Sequence, residues 1–114
     1  MTDPIDIPEI TPTELKSRLD AGDVPVLIDV REPFERDITD LPEHGQLRIP
    51  TGEFMQRMGE IGSDDEVVLY CRSGGRSEWA GKLLAQNGHA GKVLNLRGGV
   101  LGWRQEVDPS LRAY

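Results

Sequence analysis

Cys71 is followed by Arg72-Ser73-Gly74-Gly75-Arg76-Ser77, and the chain holds no other cysteine. A thiolate is a strong nucleophile, whereas a free thiol with a pKa near ~8.5 is only a few per cent ionised at neutral pH. A helix N-terminus and neighbouring arginines bring that value to roughly 3.5–7.5. Gly74 and Gly75 let the backbone turn tightly and come close to a ligand. The amides that follow open a helix and lack internal partners, so residues 72–77 form a cradle for an anion, with Arg72 and Arg76 placed to neutralise it. A cysteine at a buried strand end is more often inert than reactive. The Arg-Ser-Gly-Gly-Arg-Ser sequence that follows reverses that reading, to a functional thiol. With no second cysteine, an internal disulfide is impossible, and whatever forms on the sulfur must leave to another molecule.

The elements around this segment alternate between strands and helices. Val67-Val68-Leu69-Tyr70 is a short apolar run that leads directly into Cys71, and Pro25 to Val30 is a second. Runs of this kind are strands buried on both faces, the signature of a parallel sheet. Leu47-Arg48-Ile49 and Val93 to Leu96 are further strands. Thr11-Pro12-Thr13-Glu14 reads as a helix start, with a capping box and proline at the first helical position. Further helices are expected from Thr51, with Phe54, Met58 and Ile61 on one face, and from Gly75, with Trp79, Ala80, Leu83 and Leu84 inward. A short one carries Leu101 and Trp103. Residues 31–46 read as irregular, broken by Pro33, Pro42 and Gly45. The expected fold is α/β, with a mainly parallel central sheet of about five strands and helices on both faces. In such sheets ligands bind at the carboxyl ends of the strands, where Cys71 stands.

The length of 114 residues suits one domain. Residues 1–10, with Pro4 and Pro8, read as a poorly ordered lead-in to a domain at 11–114. No apolar run approaches a membrane span, and the acidic N-terminus lacks the layout of a secretory signal, so the expected compartment is cytoplasmic. A net charge of −7 excludes the basic footprint of a nucleic-acid binder. The charge is uneven: residues 1–66 carry 17 acids and 6 bases, and residues 67–114 carry 3 and 7. The cysteine therefore lies in the basic part. His44 and His89 read as solvent-facing loop residues, and no two ligands stand at metal spacing.

Cys71 to Ser77 after the Val-Val-Leu-Tyr strand resembles the active-site loop of the rhodanese superfamily. Leu27 to Glu35, containing Asp29-Val30-Arg31, resembles the family's segment after its first core strand. Arg97-Gly98-Gly99 with Trp103 resembles its glycine pair and tryptophan. The likeness spans about residues 11–107, and three separated segments agree in order. The final stretch from Gly98 to Tyr114 is similar to the C-terminal rhodanese domain of adenylyltransferase/sulfurtransferases of molybdopterin and thiolation pathways.

The resemblance implies a sulfurtransferase in which Cys71 carries a persulfide and residues 72–76 cradle it through main-chain amides. Asp29 is then a positioning group near the loop, and Arg31 an ion-pair partner. Gly98 and Gly99 become backbone-shape requirements. The implied donor is thiosulfate or another persulfide, and the acceptor is a thiol, cyanide or a protein. No metal or organic cofactor is needed. Many relatives carry Gly-His-Ile-x-Gly-Ala before the Ile-Pro of the next strand; here the loop at residues 37–46 differs, and only the closing Ile49-Pro50 is kept. That departure leaves open a partner-dependent delivery or interaction module. A cysteine phosphatase or arsenate reductase is a further alternative. Those loops typically place five residues between cysteine and arginine, against four here.

Overall fold

The structure is a computed structural model that describes residues 6–114. Five strands form one sheet among the described residues: β1 (Glu9–Ile10), β2 (Val26–Asp29), β3 (Leu47–Arg48), β4 (Val67–Tyr70) and β5 (Val93–Leu96). Their order is β1-β5-β4-β2-β3, and every pairing is parallel. The helices between them are α1 (Pro12–Asp20), α2 (Pro33–Ile38), α3 (Thr51–Arg57), α4 (Gly75–Gln86) and α5 (Gly99–Glu106). A 3₁₀ turn at Met58–Glu60 extends α3.

The pleat of β4 divides the core. Val67, Leu69 and Cys71 join Ile28, Val30, Phe54, Ala80 and Leu84 on the face covered by α3 and α4. Val68 and Tyr70 join Leu15, Leu19, Leu27, Val100 and Trp103 on the face covered by α1 and α5. Successive side chains leave a strand on opposite sides, so a strand buried on both faces reads as unbroken apolar sequence. Cys71 thereby falls on the α4 side, where the next helix begins.

Three features differ from the sequence reading. Glu9 and Ile10, assigned to the lead-in, pair with Asn95 and Leu96 and extend the sheet; residues 1–5 of that lead-in lie outside the described residues. Residues 33–38 form α2 instead of continuing an irregular stretch. Pro33 sits at the first helical turn, where its missing N–H costs nothing, and the Glu35 carboxylate accepts from Glu32 N at 2.8 Å. Trp79 points outward and is 48% exposed. The buried stripe of α4 is Ser77, Ala80, Gly81 and Leu84, and Trp79 lies beside it, edge-on to Phe54 with ring centroids 6.5 Å apart. The capping box of α1 is present: Thr11 Oγ1 accepts from Glu14 N at 3.1 Å, and Glu14 returns a carboxylate to Thr11 N at 3.0 Å. No helix among the described residues is long and apolar enough to cross a membrane.

Candidate active site

Cys71 is the first residue past β4, and it is 1% exposed. The chain reverses through residues 72–74 and enters α4 at Gly75. Gly74 makes this turn at φ +111°, a conformation that side-chain-bearing residues rarely adopt. The turn brings Gly74 N to 3.1 Å from Cys71 Sγ, donating to it, and one helical turn later Ser77 Oγ lies 3.4 Å from the same sulfur. Burial pushes the thiol up. The Ser77 hydroxyl outweighs it together with the amides of Ser77, Gly74 and Ser73, so the pKa lies below the ordinary cysteine value.

A second layer holds the loop from beneath. Gly98 and Gly99 adopt φ +74° and +58° at the start of α5. From there Val100 N donates to Cys71 O at 2.9 Å, and Leu101 N to Arg72 O at 3.0 Å. A Cβ on Gly99 would overlap the Cys71 carbonyl oxygen and stand 2.7 Å from Arg72 C. The glycine pair thus lets α5 offer its first amides to the loop at close range.

The two arginines of the loop have partners of their own. Arg76 forms a two-pronged pair with Glu35 of α2, at 2.7 and 2.8 Å. That pairing outweighs burial and holds the Glu35 carboxyl at about 2, aided by Glu32 N and the Tyr114 hydroxyl. Arg72 donates to Tyr114 O, with its guanidinium 5.1 Å from the Tyr114 ring centroid. Both guanidinium groups, expected to face an anion, also engage protein groups.

Asp29 and Arg31 lie in a neighbouring buried network. Arg31 meets Asp29 at 2.9 and 3.0 Å, Asp40 at 2.9 Å and Thr39 O at 2.9 Å. Arg48 bridges the same two carboxylates at 2.7 and 2.6 Å, and the Tyr70 hydroxyl donates to Asp40 at 2.7 Å. Among the described residues, no hydrogen bond joins Asp29 directly to the loop. The link runs through Tyr114, whose hydroxyl accepts from Arg31 at 3.1 Å and donates to Glu35 at 2.9 Å. The structure therefore brings Cys71, Ser73, Gly74 and Ser77 together, places Gly98 and Gly99 beneath them, and leaves Asp29 and Arg31 as a support at one remove.

Asn95 was missed. Its Nδ2 donates to Gly74 O at 3.1 Å, and its Oδ1 accepts from Ser77 Oγ at 2.6 Å. A polar residue inside the buried run Val-Leu-Asn-Leu was the available signal. Glu35 and Tyr114 gave none, being 41 and 42 positions from their loop partners. His44 and His89, expected to face solvent, are half-buried, with ring nitrogens 3.1 Å from Pro42 O and 2.7 Å from Asp65 O.

An open cleft of about 480 Å³ borders the loop, lined by Thr51, Gly52, Gly75, Arg76 and Trp79. A smaller one of about 160 Å³, among Asp29, Arg31, Arg36 and Arg48, contains no loop residue. The arrangement sets a buried sulfur against a main-chain amide and a hydroxyl, a setting suited to stabilising one negatively charged atom at or beyond Sγ.

Residues 11–106 match the family described as Rhodanese-like domain. A "Sulfurtransferase" of Allochromatium vinosum is 43% identical over 102 residues, covering 89% of this chain and 92% of that protein. The "Probable adenylyltransferase/sulfurtransferase MoeZ" of Mycobacterium tuberculosis is 36% identical over 110 residues, covering 92% of this chain; the chain spans only 26% of that protein's length. The crystal structure of a rhodanese-related protein from Thermoplasma volcanium superposes with a TM-score of 0.75 at 25% identity, covering 88% of this chain and 93% of that one.

Proposed function

This chain belongs to the rhodanese-like domain family, and on that premise we propose that it transfers sulfane sulfur through a persulfide on Cys71. In the first half-reaction the Cys71 thiolate attacks the outer sulfur of thiosulfate or of another persulfide. The donor's S–S bond breaks, and its electron pair departs with sulfite or with a thiolate. In the second, a nucleophilic acceptor (a thiol, cyanide or a protein group) attacks the outer sulfur, and Cys71 leaves as thiolate. The steps are covalent catalysis with the enzyme as carrier.

The observation that carries this reading is the pair of donors on Sγ, Gly74 N at 3.1 Å and Ser77 Oγ at 3.4 Å, in a thiol held below its ordinary pKa. The sulfurtransferase relatives support it. The Arg76–Glu35 pair weighs against a phosphatase, because the Glu35 carboxylate offsets the charge that a tetrahedral oxyanion would require of that guanidinium. A partner-dependent delivery role has one observation in its favour: Trp79 stands half exposed on the cleft beside Arg76.

The test is intact mass after reduced protein is treated with thiosulfate or a small-molecule persulfide. Wild type is expected to gain one sulfur atom, which cyanide removes as thiocyanate, while Cys71→Ser gains nothing. Failure of both donors to load Cys71 would overturn the reading.

A further inference from the structure

Ser77 has one hydroxyl hydrogen and three acceptors within reach. Asn95 Oδ1 lies at 2.6 Å, Gly74 O at 3.2 Å and Cys71 Sγ at 3.4 Å. A serine donates once, so these acceptors compete. Asn95 is 4% exposed, Ser77 0% and Cys71 1%, which leaves solvent no part in the contest. The orientation of the amide is fixed on both sides. Its Nδ2 donates to Gly74 O at 3.1 Å, so Oδ1 must face Ser77. The backbone of Asn95 is held as well, in register with Glu9 of β1 and Leu69 of β4, and its N–H donates to Pro8 O at 3.0 Å.

We infer that Asn95 is a positioning residue for Cys71, which it governs by competing with the sulfur for the hydroxyl hydrogen of Ser77. When the sulfur carries a proton, the short bond to Oδ1 takes the hydrogen. When the sulfur is an anion, the hydroxyl rotates to it, and Oδ1 loses the donor that satisfied it. A buried carbonyl left without a donor is costly, so Asn95 opposes ionisation while Ser77 favours it. Gly74 O does not depend on Asn95 alone, because it also accepts from Glu78 N at 3.0 Å. Removing the Asn95 amide therefore frees the hydroxyl without orphaning the loop carbonyl.

Other charges near the sulfur are Arg72 of the loop, Arg76 of α4 with Glu35 of α2, and at greater remove Asp29 of β2 with Arg31 just beyond that strand; Tyr114 is the nearby titratable hydroxyl. The core residues grouped with Cys71 from β2, α3 and β5 are apolar: Ile28, Phe54 and Val93. None of these is altered by the substitutions below.

The inference deepens the persulfide reading and rests on it for its bearing on turnover. Its test reads the thiol itself, by the pH dependence of Cys71 alkylation with iodoacetamide, so failure of sulfur loading is a separate outcome. Ser77→Ala is expected to raise the midpoint. Asn95→Val, a residue suited to a buried strand, is expected to lower it by about one pH unit, a gain of about tenfold in alkylation rate below the midpoint. The decisive measurement is the double variant. With no hydroxyl to compete for, Asn95→Val in the Ser77→Ala background is expected to leave the midpoint where Ser77→Ala alone puts it. An equal shift in both backgrounds, or a rise in the single variant, overturns the inference and makes Asn95 a packing residue. Asn95→Ala, read through the same cycle, decides the matter should valine prevent folding.

Discussion

At Cys71, burial and hydrogen bonding pull the proton in opposite directions, and the donors prevail. They are main-chain amides and one hydroxyl, groups whose positions are set by the backbone turn at Gly74. The guanidinium groups contribute less, since Arg76 shares its charge with Glu35 at 2.7 and 2.8 Å. Arg76→Gln is therefore expected to move the alkylation midpoint of Cys71 by less than Ser77→Ala does. A larger shift in the arginine variant would return the electrostatic role to that side chain. The loop was legible as chemistry because its residues adjoin in sequence: a thiol, two glycines and a serine one helical turn on. Asn95 and Glu35 reach the loop from 18 and 41 positions away, and although a polar residue in a buried run marks Asn95, local spacing names the partner of neither.

At the scale of elements, α5 serves the loop with its N-terminus, and Gly99 is the condition for that approach. Gly99→Ala forces a Cβ into the Cys71 carbonyl oxygen at a φ of +58°, and the bond from Val100 N at 2.9 Å has to open. The expected loss is roughly 2–4 kcal/mol of stability, with sulfur loading reduced alongside it. Urea denaturation and intact mass check the two parts. The strands were legible because continuous apolar runs admit few other readings. The helices were less so. Pro33 reads as a breaker and a starter alike, and only the Glu35 carboxylate on Glu32 N decides between them. Trp79 was drawn inward by its size, although the small residues Ser77, Ala80 and Gly81 occupy the buried stripe. Gly81 has no room for more, since a Cβ there would run into the Ile7 side chain.

Across the whole molecule, polar groups, buried at Arg31 and Glu35 and half-buried at Tyr114 and Arg76, form a continuous tie that joins the segment after β2, the C-terminal segment, α2 and α4. Its acid sensitivity follows from Glu35, whose carboxyl sits at about 2 in the fold against an ordinary 4.5. A depressed value means that the stabilisation is complete above 4.5 and disappears as pH falls through 2. Glu35→Gln is expected to lower stability at neutral pH by about 2–3 kcal/mol, with the gap from wild type narrowing below pH 4.5. Thermal melts across that range measure it, and a gap independent of pH would contradict the assignment. Beyond Arg31 as an ion-pair partner, this tie was not readable beforehand, because it joins residues that only the folded parallel sheet brings together.

The depth of Sγ also dictates which of two sulfur atoms an incoming nucleophile meets. A sulfur bonded to Cys71 stands about 2.05 Å beyond an atom that is itself 1% exposed. Attack on the inner atom would join the acceptor to the protein and expel hydrosulfide; attack on the outer atom hands the cargo over and restores the carrier. On the proposed persulfide mechanism, the burial of the first atom would favour attack on the second, so the loop would select one of two regiochemical outcomes and spare the chain a dead-end mixed disulfide.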